Sequence, residues 1–188
     1  MHYLCPIQLK MVYNNTSTPV EVSVPYRSGF LAFHEIEFFM EQYEKLQTKR
    51  PDLIPQITMI DGNGIYHERR CGAASHYGLK ANIPTIGVAK KFKCLPDDGI
   101  EKDEYRKRFC QMDTRGSIDI VTGDKEVLGK AALNTDIVRN PIFISIGHRC
   151  SLQTCMEVVL KCSRYRIPEP IRIADKLSRE KVKSSPVV

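Results

Sequence analysis

No apolar run in these 188 residues approaches the roughly 20 needed to cross a bilayer, and the opening Met1-His2-Tyr3-Leu4-Cys5-Pro6 lacks the basic-then-apolar plan of a secretion signal. The expectation is a protein of cytosol or nucleus with no membrane partner. The seven cysteines, at 5, 71, 94, 110, 150, 155 and 162, contain no CxxC pair and follow no regular spacing, which argues against a disulfide framework and a zinc knuckle. There is no GxxxxGK[ST], so a P-loop nucleotidase is not expected, and Gly62-Asn63-Gly64 has the wrong spacing for a dinucleotide fingerprint. No GxSxG elbow surrounds Ser28, Ser75 or Ser145. His67 and His76 flank Cys71 at a spacing that fits no metal-ligand motif. Repeats and low-complexity segments are absent as well.

What remains has the make-up of an ordinary globular domain, 42% hydrophobic and 27% charged. Its 28 Lys and Arg exceed its 22 Asp and Glu by six, a mildly basic balance that makes polyanions plausible partners and no more. The excess gathers around Lys90, Lys91 and Lys93 and again between Arg164 and Lys183. On charge alone a solvated face explains each better than a phosphate track.

Patterning predicts an α/β fold. Gln8 to Tyr13 and Val20 to Val24 read as a hairpin around Asn14-Asn15-Thr16-Ser17, and apolar residues at helical spacing follow from Gly29 to about Thr48. Ile54 to Ile60 is a short, nearly all-apolar run and Ile83 to Ala89 a second such run, of the kind found in parallel strands buried on both faces. A short crossover helix over Gly72 to Leu79 would join them into a βαβ unit. The charged stretch from Asp97 to Arg108 reads as exposed; strands follow at Ser117 to Val121, Val127 to Leu133 and Ile142 to Ile146, then helices at Ser151 to Cys162 and Ile171 to Lys181. Residues 1–183 form one domain in this reading and 184–188 a frayed tail.

Open α/β sheets bind ligands at the carboxyl ends of their strands. Asp61 and Lys90 are each the first polar residue after a buried run, so parallel neighbours would place a carboxylate and an ammonium together, suited to a metal ion and a phosphate; a plain Asp-Gly turn is an equal reading of Asp61. Glu35 stands one helical turn from Leu31, Phe38 and Phe39, on or beside the face that packs on the sheet, where a charge is costly unless paired or metal-bound. Glu37 shares a face with Glu41 and Lys45 and reads as solvated surface. An inward Glu on the first helix with an Asp ending the next strand is the arrangement by which two-metal nucleases hold Mg²⁺ at a phosphate.

Six linked motifs then stand out. They are Pro25-Tyr26-Arg27-Ser28-Gly29-Phe30-Leu31-Ala32-Phe33-His34-Glu35, Asp61-Gly62-Asn63-Gly64-Ile65-Tyr66-His67, Gly72-Ala73-Ala74-Ser75-His76-Tyr77-Gly78, Gly87-Val88-Ala89-Lys90-Lys91, Ser145-Ile146-Gly147-His148-Arg149, and Arg166-Ile167-Pro168-Glu169-Pro170 with Ala174-Asp175. In order and spacing, from about Lys10 to about Lys183, they closely resemble the endonuclease V family. The resemblance implies a ribonuclease H-like mixed sheet flanked by helices and a dependence on Mg²⁺, with Mn²⁺ as substitute. It implies cleavage at the second phosphodiester bond 3′ to inosine. It further implies that Glu35, Asp61 and Asp175 are metal carboxylates, that Lys90 contacts the phosphate, and that Tyr26 is the aromatic of a wedge filling the gap left by a flipped base. Gly29, Leu31, Gly62 and Ala73 match the base pocket, and His67 a histidine beside the active site.

Two departures shape the expectation. The wedge Pro25-Tyr26-Arg27-Ser28 lacks the second proline of bacterial members, which favours the animal branch and inosine in single-stranded RNA, with deoxyinosine DNA as an alternative substrate. Residues 1–34 contain no Asp and one Glu, Glu21, so the family's first-strand Asp has no counterpart. The chain is therefore expected to be incomplete at its N-terminus, missing the first central strand, with open strand edges and an apolar gap. Three outcomes follow: a metal-dependent endonuclease, a catalytically silent form that binds inosine RNA, or a product that does not fold. The expected protein is a monomer of cytoplasm, nucleus or nucleolus.

Overall fold

The computed structural model describes residues 2–5, 9–17, 30–137 and 139–184. Its main body is a five-stranded sheet in the order β3 (Thr58–Asp61), β4 (Thr85–Ala89), β7 (Ile142–His148), β6 (Val127–Ala132), β5 (Ser117–Val121). β3 and β4 pair in parallel, joined through α2 (Ala73–Ala81), and every other pairing is antiparallel. β4 is buried at all five positions, the condition that its unbroken apolar run predicts.

The alternation of side chains along the strands sends successive residues to opposite helical layers. From β3, Ile60 packs with Ile36 and Tyr43 of α1 (Leu31–Lys49) and with Ala74 and Tyr77 of α2. Met59 and Ile57 instead join Ile86, Val88, Ile144, Cys155 and Val159 beneath α4 (Leu152–Lys161) and α5 (Glu169–Ser184). A third cluster, with Tyr66, Leu95, Ile100, Ile120, Leu128 and Phe143, lies under α3 (Lys102–Cys110). The architecture is thus a mixed sheet flanked by helices. No helix among the described residues is long and apolar enough to cross a membrane.

Several expected elements need correction. β3 is only four residues long, because a 3₁₀ turn at Pro51–Leu53 and then Pro55 hold Ile54 to Gln56 out of the ladder. The stretch expected to be merely exposed contains α3. Tyr105 is 1% exposed, and its ring and that of Phe109 stand 5.3 and 5.5 Å from Phe92, so an i,i+4 aromatic pair anchors an otherwise charged helix. Asp103 and Glu104 in its first turn and Lys107 and Arg108 in its last suit the helix dipole. β2 (Lys10–Asn14) pairs antiparallel with β1 (His2–Cys5) in a two-stranded sheet, a pairing the sequence did not suggest; the strand expected at Val20 to Val24 lies outside the described residues. Glu37 is exposed as expected, but its carboxylate meets Lys80 of α2.

Candidate active site and nucleic-acid interface

The parallel register sets Asp61, the last residue of β3, beside Val88 of β4, so the carboxyl ends of both strands emerge together. Lys90, one residue beyond β4, places Nζ 2.5 Å from Asp61 Oδ2. Both side chains are partly exposed, at 31% and 46%, so the pair is accessible to a ligand and contributes little to stability. Glu35, on the second turn of α1, is half-buried. Burial first and the Asp61 charge second hold its carboxyl above the ordinary range.

Glu35, Asp61 and Asp175 of α5 line one cavity of about 640 Å³. The Asp175 carboxylate pairs with Arg179 at 3.0 Å, and among the described residues no three His, Cys, Asp or Glu groups stand close enough to hold a metal ion together. Glu35 and Asp61 alone fit a divalent cation. Both offer hard oxygen donors, and the repulsion that raises the Glu35 pKa is what a cation between them would relieve. The floor of the cavity is apolar, with Phe39, Ile57, Met59 and Ile171, and one wall is the edge of β3 that no described strand pairs. Gln42, buried at 6% exposure, lines the same cavity, and neither its amide atoms nor the Thr58 hydroxyl beside it finds a hydrogen-bond partner among the described residues. Neither residue was marked by a sequence motif; only the burial of a polar side chain on the inner face of α1 reveals Gln42.

The loop from Asp61 into α2 is built backbone on backbone. A Cβ on Gly64 would stand 1.9 Å from the Ile146 carbonyl oxygen and one on Gly72 2.3 Å from that of Asn63, so the second of the six motifs interlocks here with the fifth and the third through glycine. The Gly64 N–H also donates to Ser145 Oγ at 2.8 Å. Gly62 donates its N–H to the Val88 carbonyl, and a Cβ placed on it would meet only Ala73 Cβ at 3.4 Å. The fold therefore brings Gly62 and Ala73 together one residue beyond Asp61. Farther along, Arg70 pairs with Asp98 at 2.8 Å and with Glu126 at 3.2 Å, tying this loop to two turns. His67 is buried within it. Its Nδ1 accepts the Arg69 N–H, and burial, then Lys93, lowers its pKa; it is not among the residues lining the carboxylate cavity. Tyr26 and Gly29 lie outside the described residues, as does the side chain of Leu31.

Arg166 carries an organising role that its place in a motif did not disclose. Its guanidinium donates to the carbonyls of Lys90 at 2.6 Å, Pro141 at 3.0 Å and Asn140 at 2.9 Å, fixing the backbone from which the Lys90 side chain reaches Asp61. Asn134 in turn holds the Tyr165 and Arg166 carbonyls at 3.1 and 2.8 Å.

The family model described as Endonuclease V matches residues 3–176. Human endonuclease V is 41% identical over 180 residues, 95% of this chain and 63% of the human protein. The mouse protein is 42% identical over 178 residues, 94% of this chain and 52% of its own length. The chain thus spans about half to two thirds of the curated relatives it matches. Among solved structures, endonuclease V of Ciona intestinalis in complex with a 24mer DNA containing an inosine followed by a ribo-adenosine superposes with a TM-score of 0.91 at 45% identity, over 97% of this chain and 77% of that one. The catalytic domain of human endonuclease V gives 0.90 at 40%, over 97% and 74%. The mixed sheet is accordingly of the ribonuclease H-like class.

Proposed function

The chain belongs to the endonuclease V family, and on that premise we propose that it engages inosine in single-stranded RNA and cleaves the backbone at the second phosphodiester bond 3′ to that base, with deoxyinosine DNA as a weaker substrate. The observation that carries the reading is the juxtaposition of Glu35, Asp61 and Lys90 at the carboxyl ends of two parallel strands, one residue from the Gly62–Ala73 contact. The inosine-containing DNA in the Ciona complex supports the base preference.

Each residue has a part. Gly62 and Ala73 leave space for a base edge to approach backbone, and Tyr26 stacks where the flipped base leaves the strand. Lys90, oriented through Arg166, meets the phosphate, and Glu35 and Asp61 hold the divalent cation, Mg²⁺ or Mn²⁺. When bound, the ion supplies charge neutralisation at the phosphate and a more acidic water. Asp175 needs to leave Arg179 before it can join them.

A second reading has its own observation. Among the described residues the carboxylates do not assemble into a group of three, which favours a form that binds inosine RNA and cleaves it poorly. One experiment separates the two. Residues 1–188 are assayed on inosine-containing single-stranded RNA with Mg²⁺ and then Mn²⁺, beside a version preceded by the Asp-bearing first strand of the family. Turnover lower by about a thousandfold without that strand supports the silent form, since metal stabilisation of a transition state amounts to several kcal/mol. Near-equal turnover supports the nuclease and means that the residues present complete the site.

A further inference from the structure

We propose that a second cavity, on the α3 side of Lys90, is a groove for the phosphodiester backbone of the strand 3′ to the cleaved bond; this rests on the reading above. The cavity encloses about 760 Å³, and Lys90, Lys91, Lys102, Arg106 and Arg139 line it without a single carboxylate. Composition alone favoured a solvated face for the Lys90 cluster, yet the fold turns it into one lip of a concave site. Lys102, Arg106 and Phe109 share one face of α3 at i, i+4 and i+7, so that helix directs two cations and an aromatic ring inward. Glu104 on another face of α3 turns to Arg108 instead.

Three features favour a nucleic-acid strand over a free anion. Lys91, Lys102 and Arg106 have no ion-pair partner among the described residues, so their charge is available to a ligand. The floor is apolar, with Phe92, Phe109 and Phe143 in mutual ring contact at 5.5 to 5.7 Å. Both lips are fixed to one side chain, since Arg166 binds the carbonyls of Lys90 on one side and of Asn140 and Pro141 on the other. The groove begins at the lysine that touches Asp61, and with the base at Gly62 and Ala73 on the α2 side, a strand that has passed the scissile phosphate runs on toward α3. Charge spacing along a helix, above a packed aromatic floor, suits sequence-independent backbone binding.

The test measures binding of the 188-residue chain in metal-free buffer to single-stranded RNAs with one inosine and a 3′ arm of either about three or about twelve nucleotides. The unsubstituted chain gains affinity from the long arm. The double variant Lys102→Gln, Arg106→Gln loses about 25-fold of that gain at ~0.1 M salt, and its slope of log K against log salt falls by about 1.4, two single-strand phosphate contacts. The charge-conserving pair Lys102→Arg, Arg106→Lys retains the gain, which separates charge from packing. A long-arm gain that survives the double glutamine variant, is absent from the unsubstituted chain, or appears on lengthening the 5′ arm instead overturns the groove. Preference for inosine over adenosine is read from the same strands and is unchanged in the variants; its absence from all proteins overturns the base reading while the arm dependence still reports on the groove.

Discussion

Asp61→Ala separates the chemistry of the site from the stability of the fold. The side chain at the end of β3 is nearly half-exposed, and its described partner is Lys90 at 2.5 Å. A pair of that exposure is worth about 0–1 kcal/mol, which for a domain of this length moves the melting temperature by no more than about 2–4 °C. Partly offsetting this, Glu35 loses the neighbouring charge that raises its pKa. Cleavage behaves differently. A divalent cation held as proposed would lose one of its two carboxylates, and the loss of several kcal/mol of transition-state stabilisation would lower turnover by about a thousandfold or more. Affinity for inosine RNA stays within a few-fold, because Gly62, Ala73 and the lysines remain. Thermal melting, single-turnover cleavage and equilibrium binding in metal-free buffer give the three readouts. Equal losses of binding and cleavage, or a fall in melting temperature well beyond the ion-pair value, would refute the reasoning and give Asp61 a structural role.

Tyr26→Ala weakens discrimination between inosine and adenosine RNA, since stacking on an aromatic ring is worth ~1–3 kcal/mol per base; unchanged discrimination removes the wedge role. Glu35→Gln stabilises the metal-free chain at neutral pH. Glu35 has a folded pKa above its unfolded one, so its contribution is full below the unfolded value and is lost as pH rises through the folded value. The gain in melting temperature should therefore vanish in acid, where both side chains are neutral, and an equal gain at both pH values contradicts it. Gly64→Ala lowers stability by about 1–3 kcal/mol or more, because its Cβ would collide with the Ile146 carbonyl rather than with a flexible side chain. Urea unfolding reads this directly, and an unchanged midpoint would mean that the loop relaxes freely.

Much of this arrangement was legible because its causes are local. Nearly all-apolar runs ending at Ile60 and Ala89 locate β3 and β4, of which β4 alone is buried throughout, and their parallel pairing brings Asp61 to Lys90 without further information. β5 occupies the predicted Ser117–Val121. The misreadings have longer-range origins. Whether Lys102–Cys110 forms a helix depends on Phe92 receiving Tyr105 and Phe109, a contact that charge content conceals. The role of Arg166 needs three carbonyls from two distant segments, and a motif names the residue without naming those acceptors. Gln42 looks like an ordinary helical position until α1 docks and buries it beside the edge of β3 that no described strand pairs. The pairing of β2 with His2–Cys5 likewise required the backbone, because no turn signal in the sequence announces it.

Inosine recognition next to a carboxylate–lysine phosphate site is what we propose for this chain. Its most direct test is competitive binding of residues 1–188 to two single-stranded RNAs identical except for inosine or adenosine at one position, followed by addition of Mn²⁺ and mapping of any cut. The expected result is tighter binding to the inosine strand and a break, however slow, only at the second phosphodiester bond on its 3′ side. Equal affinity for the two strands, or cuts scattered without regard to the inosine, would contradict it.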